Sequence, residues 1–123
     1  MSSRVKIFFD GGCRPAGMET AVVIGGVAHI ERDLGPGTGM EAEWLALLHA
    51  ADLARELGLT DPQFLGDSLA VVNQANGDAK CRGAALRHLE AFRALALAPA
   101  PPRVRHIKRA QNLAGIALAR LHA

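Results

Sequence analysis

Acidic residues that directly follow apolar segments are the first feature of this sequence with chemical consequences. Asp10 follows a β-branched and aromatic run over 4–9, and Asp67 follows a short apolar run that ends at Gly66. Carboxylate oxygens are the ligands that hard divalent cations such as Mg²⁺ prefer. Such residues can hold a cation if the fold brings them together.

Each acid also has a purely structural interpretation. Asp10 precedes two glycines and can shape a tight turn, and Asp67 can cap the helix that follows it. Glu43 can be an ordinary surface residue, although it stands beside Trp44 on the packed side of its predicted helix, where a carboxylate needs a partner. Residue types alone leave both interpretations open.

The segments that would carry these acids alternate between strand-like and helix-like patterns. Strands are predicted over 4–9, 20–24, 27–30, 63–66 and 104–107. Helices are predicted from a Thr38/Glu41 capping box to about Gly58, and then over 69–74, 80–97 and 113–121. A strand, helix, strand passage within one sheet implies parallel pairing, so we expect an α/β fold with a mixed five-stranded sheet and helices on both faces.

Length and composition restrict the class of protein. The chain has 123 residues, half of them apolar, which suffices for one core, so we expect a single domain over 1–123. We expect a cytoplasmic location, because no apolar run approaches the roughly 20 residues that cross a bilayer and the N-terminus lacks a signal-peptide pattern. Cys13 and Cys81 stand outside any CxxC spacing, which predicts free thiols.

Charge is unevenly distributed along the chain. The first 92 residues contain eight Lys/Arg and all twelve Asp/Glu, whereas the remainder contains six Lys/Arg and no acid. In one interpretation, an acidic body holds cations and is joined to a basic segment that holds phosphates. A solvated basic surface is the other.

Four sequence blocks together resemble type 1 ribonuclease H. They are FFDGG at 8–12, AEWLAL at 42–47, GDSLAVVNQ at 66–74 and NLAGIALAR at 112–120, and they span nearly the whole chain. The resemblance implies the ribonuclease H-like fold and metal-dependent endonucleolytic hydrolysis of the RNA strand of RNA–DNA hybrids. In that family carboxylates gather two Mg²⁺ ions, with Mn²⁺ as a possible substitute. By position match, the catalytic and metal-binding residues are Asp10, Glu43 and Asp67, with Asp10 bridging both ions.

The last block departs from the family pattern. Anchoring on Asn112 places Ile116 where the family has its fourth carboxylate, and isoleucine cannot bind a cation. The expected activity is therefore reduced, and the alternative function is a catalytically weakened or inactive nucleic-acid-binding module. Ile116 itself either packs its helix against the sheet or contributes to an apolar surface. Asn112 either caps the helix alone or also orders the site.

The resemblance also implies how an RNA–DNA hybrid would bind. The family contacts 2′-hydroxyl groups in the minor groove, here through the backbone of Gly11, Gly12 and Cys13. Hydrogen bonds in the groove are expected from Asn73 and Gln74, although both can be plain exposed helix amides. Phosphate contacts are expected from Lys80, Arg82, Lys108 and Arg109. No membrane partner is expected, and the oligomeric state stays open.

Overall fold

The computed structural model describes residues 4–95 and 103–123. Its elements, in chain order, are β1 (Val5–Arg14), β2 (Gly17–Ile24), β3 (Val27–Glu31), α1 (Gly39–Glu56), β4 (Pro62–Gly66), α2 (Leu69–Ala75), α3 (Ala84–Ala94), β5 (Val104–His106) and α4 (Leu113–Leu121). A single 3₁₀ turn, Arg109–Gln111, leads into α4. Among the described helices, none combines the length and apolar character needed to span a membrane.

The five strands form one mixed sheet. Their order across the sheet is β3-β2-β1-β4-β5. The β1–β2 and β2–β3 pairs are antiparallel, whereas β4 runs parallel to both β1 and β5. The predicted mixed five-stranded sheet is thereby confirmed.

Alternating side chains on the central strands supply two hydrophobic cores. Phe9 and its same-face neighbours pack against α1, α2 and α3, in a core that also includes Trp44, Phe64 and Phe92. On the opposite face, Ala21 and Val23 pack against α4. This period-two alternation is what a sheet covered by helices on both faces requires.

The first strand is longer than predicted, which corrects the expected position of Asp10. The antiparallel register with β2 continues to Arg14, opposite Gly17, so Asp10 and the two glycines after it lie inside the strand rather than in a turn. The parallel register with β4 ends earlier, at the pair Phe8 and Leu65. From Asp10 onward, the side of β1 toward β4 is therefore open to other side chains.

The predicted cap of α1 is confirmed, whereas the end of α1 and the start of α3 differ from prediction. In α1 the cap is as expected, because Thr38 Oγ1 accepts a hydrogen bond from the N–H of Glu41 over 3.1 Å. The helix ends at Glu56 rather than at about Gly58, and Leu57 is its exposed C-cap residue. The third helix begins at Ala84 rather than residue 80, after Gly83 with a positive φ of 56°. Its predicted end at 97 lies outside the described residues.

The outer edge of β5 is covered by a side chain. The N–H of Val104 donates to Asn76 Oδ1 over 2.8 Å, and Asn76 Nδ2 donates to the Val104 carbonyl over 2.7 Å. Asn76 is the C-cap residue of α2, so these bonds also attach the end of α2 to the last strand.

Candidate active site

The open side of β1 is where the three predicted carboxylates meet. Asp10 projects from the middle of β1, Asp67 follows the last residue of β4, and Glu43 lies in the second turn of α1. One carboxylate oxygen from each lies within 4.8 Å of the others. The structure therefore brings together all three residues that the sequence singled out.

Asn112 fixes Asp67 to the end of β1. Its side chain is fully buried, and Nδ2 donates to Asp67 Oδ2 and to the Phe9 carbonyl, each over 3.0 Å. Its Oδ1 accepts from the N–H of Ala114 and so caps α4. Asn112 therefore caps the helix and orders the site at once, whereas the sequence favoured capping alone because an Asn before an apolar helix is common for that reason.

Gly11 allows α1 to approach the strand closely. A Cβ atom at this position would lie 2.1 Å from the carbonyl oxygen of Ala42, which no side chain can tolerate. The N–H of Gly11 donates to Glu43 Oε1 over 3.3 Å. The glycine thus places the Glu43 carboxyl group beside Asp10 and uses its own N–H to hold it there.

The cluster contains buried oxygens without donors. Asp10 and Glu43 are only 3% and 9% exposed. When both groups are ionised, Asp10 Oδ1 and Glu43 Oε2 have no hydrogen-bond donor among the described residues. Such oxygens are costly in a protein interior unless a proton or a cation compensates them. This set of hard oxygen donors therefore fits a divalent cation.

Burial and proximity change the proton affinity of the pair. The pKa of Glu43 is raised to about 9. Desolvation is the largest cause, and the hydrogen bond with Asp10 and the repulsion from the Asp10 charge add to it. Desolvation is also the largest cause of the raised pKa of Asp10, while the hydrogen bond from Glu43 opposes it. Burial and the neighbouring charge therefore favour the protonated form of Glu43 when no cation is bound.

Arg109 approaches the cluster from the 3₁₀ turn before α4. Its guanidinium Nη1 lies 3.9 Å from Asp67 Oδ1, while 81% of its side chain remains exposed. It also lowers the pKa of Asp10, although less than desolvation raises it. The sequence had placed Arg109 among the phosphate contacts, and its position beside the carboxylates is compatible with that role.

The α4 side of the cluster has no acid. Ile116 is 38% exposed, so of its two interpretations the structure supports the exposed apolar surface and not packing against the sheet. Gly115 of this helix lies beside Asp10, because a Cβ there would lie 3.4 Å from Asp10 Oδ2. A glycine rather than an acid thus borders the cluster here.

The predicted substrate contacts lie on β1, on α2, between α2 and α3, and at the 3₁₀ turn before α4. Gly12 lies in β1 with Gly11, and Cys13 next to it is exposed and donates its S–H to the Gly37 carbonyl over 2.9 Å. The side-chain oxygen of Gln74 forms a hydrogen bond within the protein, because Oε1 accepts from Trp44 Nε1 over 2.8 Å. Asn73 is half-buried on α2, and the basic residues Lys80, Arg82 and Lys108 are exposed.

Comparison with known proteins places the chain in a family. Residues 22–122 match the reverse transcriptase-like family, and the chain belongs to it. No curated protein matches the chain. Ribonuclease H1 of the halophilic archaeon Halobacterium salinarum is 28% identical with a TM-score of 0.77, over 98% of this chain and 100% of that one.

Two further solved structures are similar over most of their length. The N-terminal ribonuclease H domain of a Mycobacterium tuberculosis protein is 27% identical with a TM-score of 0.72, over 99% of this chain and 100% of that one. LC11 ribonuclease H1, isolated from compost by a metagenomic approach, is 25% identical with a TM-score of 0.76, over 94% and 91%. LC11 ribonuclease H1 has also been solved with an RNA/DNA hybrid. The resemblance to type 1 ribonuclease H is confirmed, and with it the ribonuclease H-like fold.

Proposed function

We propose that this protein is a metal-dependent endoribonuclease that hydrolyses the RNA strand of RNA–DNA hybrids. The observation that carries the proposal is the meeting of Asp10, Glu43 and Asp67, with two buried oxygens that lack donors, inside a ribonuclease H-like fold. Solved relatives of the same fold are ribonucleases H1, and one of them has been captured with an RNA/DNA hybrid.

The proposed cofactor is Mg²⁺, or Mn²⁺ in its place, in a two-ion site held by Asp10, Glu43 and Asp67. Such ions, when bound, activate a water molecule and stabilise the leaving oxygen of a phosphodiester. A proton on Glu43 would compete with a cation for the same oxygens. Asn112 and the N–H of Gly11 hold Asp67 and Glu43 in the positions from which they would bind the ions.

Ile116 bears on the strength of the activity. By position match with the family, Ile116 takes the place of the fourth carboxylate, so water would have to complete the coordination of an ion there. We therefore propose that the enzyme needs a higher metal concentration than a relative with four carboxylates. Activity is weakened by this substitution but is retained through the other three carboxylates.

The hybrid is proposed to bind by shape and charge. The backbone of Gly11, Gly12 and Cys13, half-buried at the glycines and exposed at Cys13, would contact 2′-hydroxyl groups of the RNA strand. Asn73 and Gln74 would reach the minor groove, and Lys80, Arg82, Lys108 and Arg109 would contact phosphates. Because phosphate contacts release counterions, binding should weaken steeply with salt.

The decisive experiment is cleavage of a labelled RNA–DNA hybrid in Mg²⁺ and then Mn²⁺, with duplex DNA and duplex RNA as controls. Asp10→Asn should abolish cleavage, whereas Asp61→Asn, which removes an exposed acid paired with Arg4 at 3.4 Å, should not change it. Equal cleavage by the Asp10→Asn variant would refute the site assignment. Hybrid binding without cleavage by the wild-type protein would instead favour the non-hydrolytic binding module.

A further inference from the structure

A second buried acid lies on the face of the sheet that carries Asp10. Glu19 is in β2 opposite Gly12, and its side chain is only 4% exposed. Its Oε2 lies 2.7 Å from Nε2 of His122, and its Oε1 lies 3.9 Å from Nε of Arg32. A carboxylate this deeply buried is strongly destabilising unless it is paired. The short contact therefore makes His122 its principal partner.

This pair holds one end of α4, and Asn112 holds the other. His122 is the C-cap residue of α4, and Asn112 is its N-cap residue. Between these ends only small or aliphatic residues reach the core, with Ala114 and Leu118 packed on the sheet. This apolar contact rests on two buried side chains of a nine-residue helix, so it fixes the helix direction less firmly than a longer contact would. The polar contacts at the two ends of α4 therefore contribute to its orientation.

We infer that Glu19 and His122 form a positioning pair that anchors α4 and thereby keeps Asn112 in contact with Asp67. The catalytic consequence rests on the proposed function, but the effect on Asn112 does not. If the C-terminal end of α4 is released, the helix pivots and the Asn112 amide loses its alignment with the Asp67 carboxylate and the Phe9 carbonyl. Loss of such orienting contacts weakens metal binding and activity in other proteins by about 10- to 100-fold.

Two variants separate positioning from simple stabilisation. His122→Ala releases the helix end and also leaves the Glu19 charge buried without its main partner, so the melting temperature should fall. Adding Glu19→Gln removes that charge, so the double variant should recover much of the melting temperature while the helix stays unanchored. His122→Gln, which can still donate to Glu19, is the conservative variant and should retain the anchor.

Three readouts are taken on each variant in the full chain. They are hydrogen exchange of the Asn112 side-chain amide by ¹⁵N NMR, Mn²⁺ affinity without substrate, and kcat and KM for hybrid cleavage. We expect faster amide exchange, weaker Mn²⁺ binding and a kcat lowered about tenfold or more, with KM within about twofold, in both His122→Ala and the double variant. Arg32→Gln, which removes the more distant partner of Glu19 and leaves the contact with His122 in place, should change none of them.

Leu89→Ala, at a buried position of α3, is a control that lowers stability without altering the ends of α4. If the double variant regains wild-type amide exchange, Mn²⁺ affinity and kcat along with its melting temperature, the pair is only stabilising and the inference is overturned. The same conclusion follows if Leu89→Ala shows equal losses. If the wild-type protein cleaves no hybrid, the proposed function fails, and the exchange of the Asn112 amide still decides whether the pair positions α4.

Discussion

The side-chain amide of Asn112 is shared between two acceptors, the carboxylate of Asp67 and the main-chain carbonyl of Phe9, each 3.0 Å away. Since Asp10 follows Phe9 in β1, one amide group connects two of the three clustered acids. Asp67 therefore depends for its orientation on a residue that is remote from it in sequence, and the integrity of the cluster depends on α4 being docked.

Asn112→Asp tests this dependence directly, because the side chains have the same shape but the donor becomes an acceptor. The variant places a further negative charge beside Asp67 in a fully buried position. We expect the free energy of unfolding at pH 7 to fall by about 3 kcal/mol, measured by urea denaturation. Gln111→Glu adds the same charge at the neighbouring exposed position and should change it little. Equal effects of the two variants would contradict the role given to the Asn112 amide.

Glu43 makes stability depend on pH in a defined direction. Its pKa rises from 4.5 to about 9 on folding. The folded state therefore binds more protons between these values, and the stability contributed by this group is complete below pH 4.5 and is lost as pH rises toward 9. Glu43→Gln should flatten this dependence and stabilise the metal-free protein at pH 8 by about 1 to 3 kcal/mol.

The measurement is the free energy of unfolding from pH 5 to pH 9 in the presence of a chelator. Glu56→Gln, an exposed acid at the end of the same helix, is the matched control and should leave the slope unchanged. A slope that survives in Glu43→Gln would show that another group titrates. Saturating Mn²⁺ should stabilise the wild-type protein more than Glu43→Gln, because binding to the folded state alone raises stability.

Ile116→Asp is expected to strengthen metal binding and activity. The position is 38% exposed and lies in the first turns of α4, where an acid interacts favourably with the helix dipole, so folding should tolerate it. We expect the Mn²⁺ dissociation constant to fall by about tenfold or more, with a matching fall in the metal concentration for half-maximal cleavage. Leu113→Asp adds the same charge at an exposed position one turn earlier and should give a much smaller change. Equal gains would mean that charge alone is responsible.

Gly11→Ala should be strongly disruptive, because its methyl group would meet the Ala42 carbonyl at 2.1 Å. Either α1 moves away or the strand bends, at a cost of about 2 to 3 kcal/mol, and either change separates Glu43 from Asp10. Thermal unfolding and Mn²⁺ affinity measure the two effects. Gly12→Ala is the matched control, since a methyl group there meets only Glu19 Cγ at 3.9 Å. Comparable damage from both substitutions would argue against the close approach of α1 at residue 11.

The order of elements was predictable from the sequence because it rests on local patterns. Each of these patterns depends on residues near one another in the chain. The five strands, the Thr38 cap and the Asn112 cap all occur in the predicted order. The true length of β1 was not predictable in this way. Glycines usually end strands, but here the pairing of Gly11 and Gly12 with β2 extends the strand past them, and that pairing is a tertiary property.

The sequence predicted which acids form the candidate site but not the contacts that support them. Family-like blocks pointed to Asp10, Glu43 and Asp67, which the structure brings together. No local pattern could indicate that His122 pairs with Glu19, since 103 residues separate them. The exposure of Ile116 was equally hidden, because α4 is apolar on nearly all sides and its sequence does not reveal which side faces the sheet.

The side-chain bonds between Asn76 and Val104 have a consequence for self-association. Unpaired backbone groups on an outer strand are templates for the strand of another molecule, and such templating is a common start of aggregation. Here Asn76 occupies both backbone groups of Val104, so an incoming strand would first have to displace two bonds of 2.7 and 2.8 Å. The side-chain amide of Asn76 thereby hinders the addition of a further strand to the sheet beyond β5.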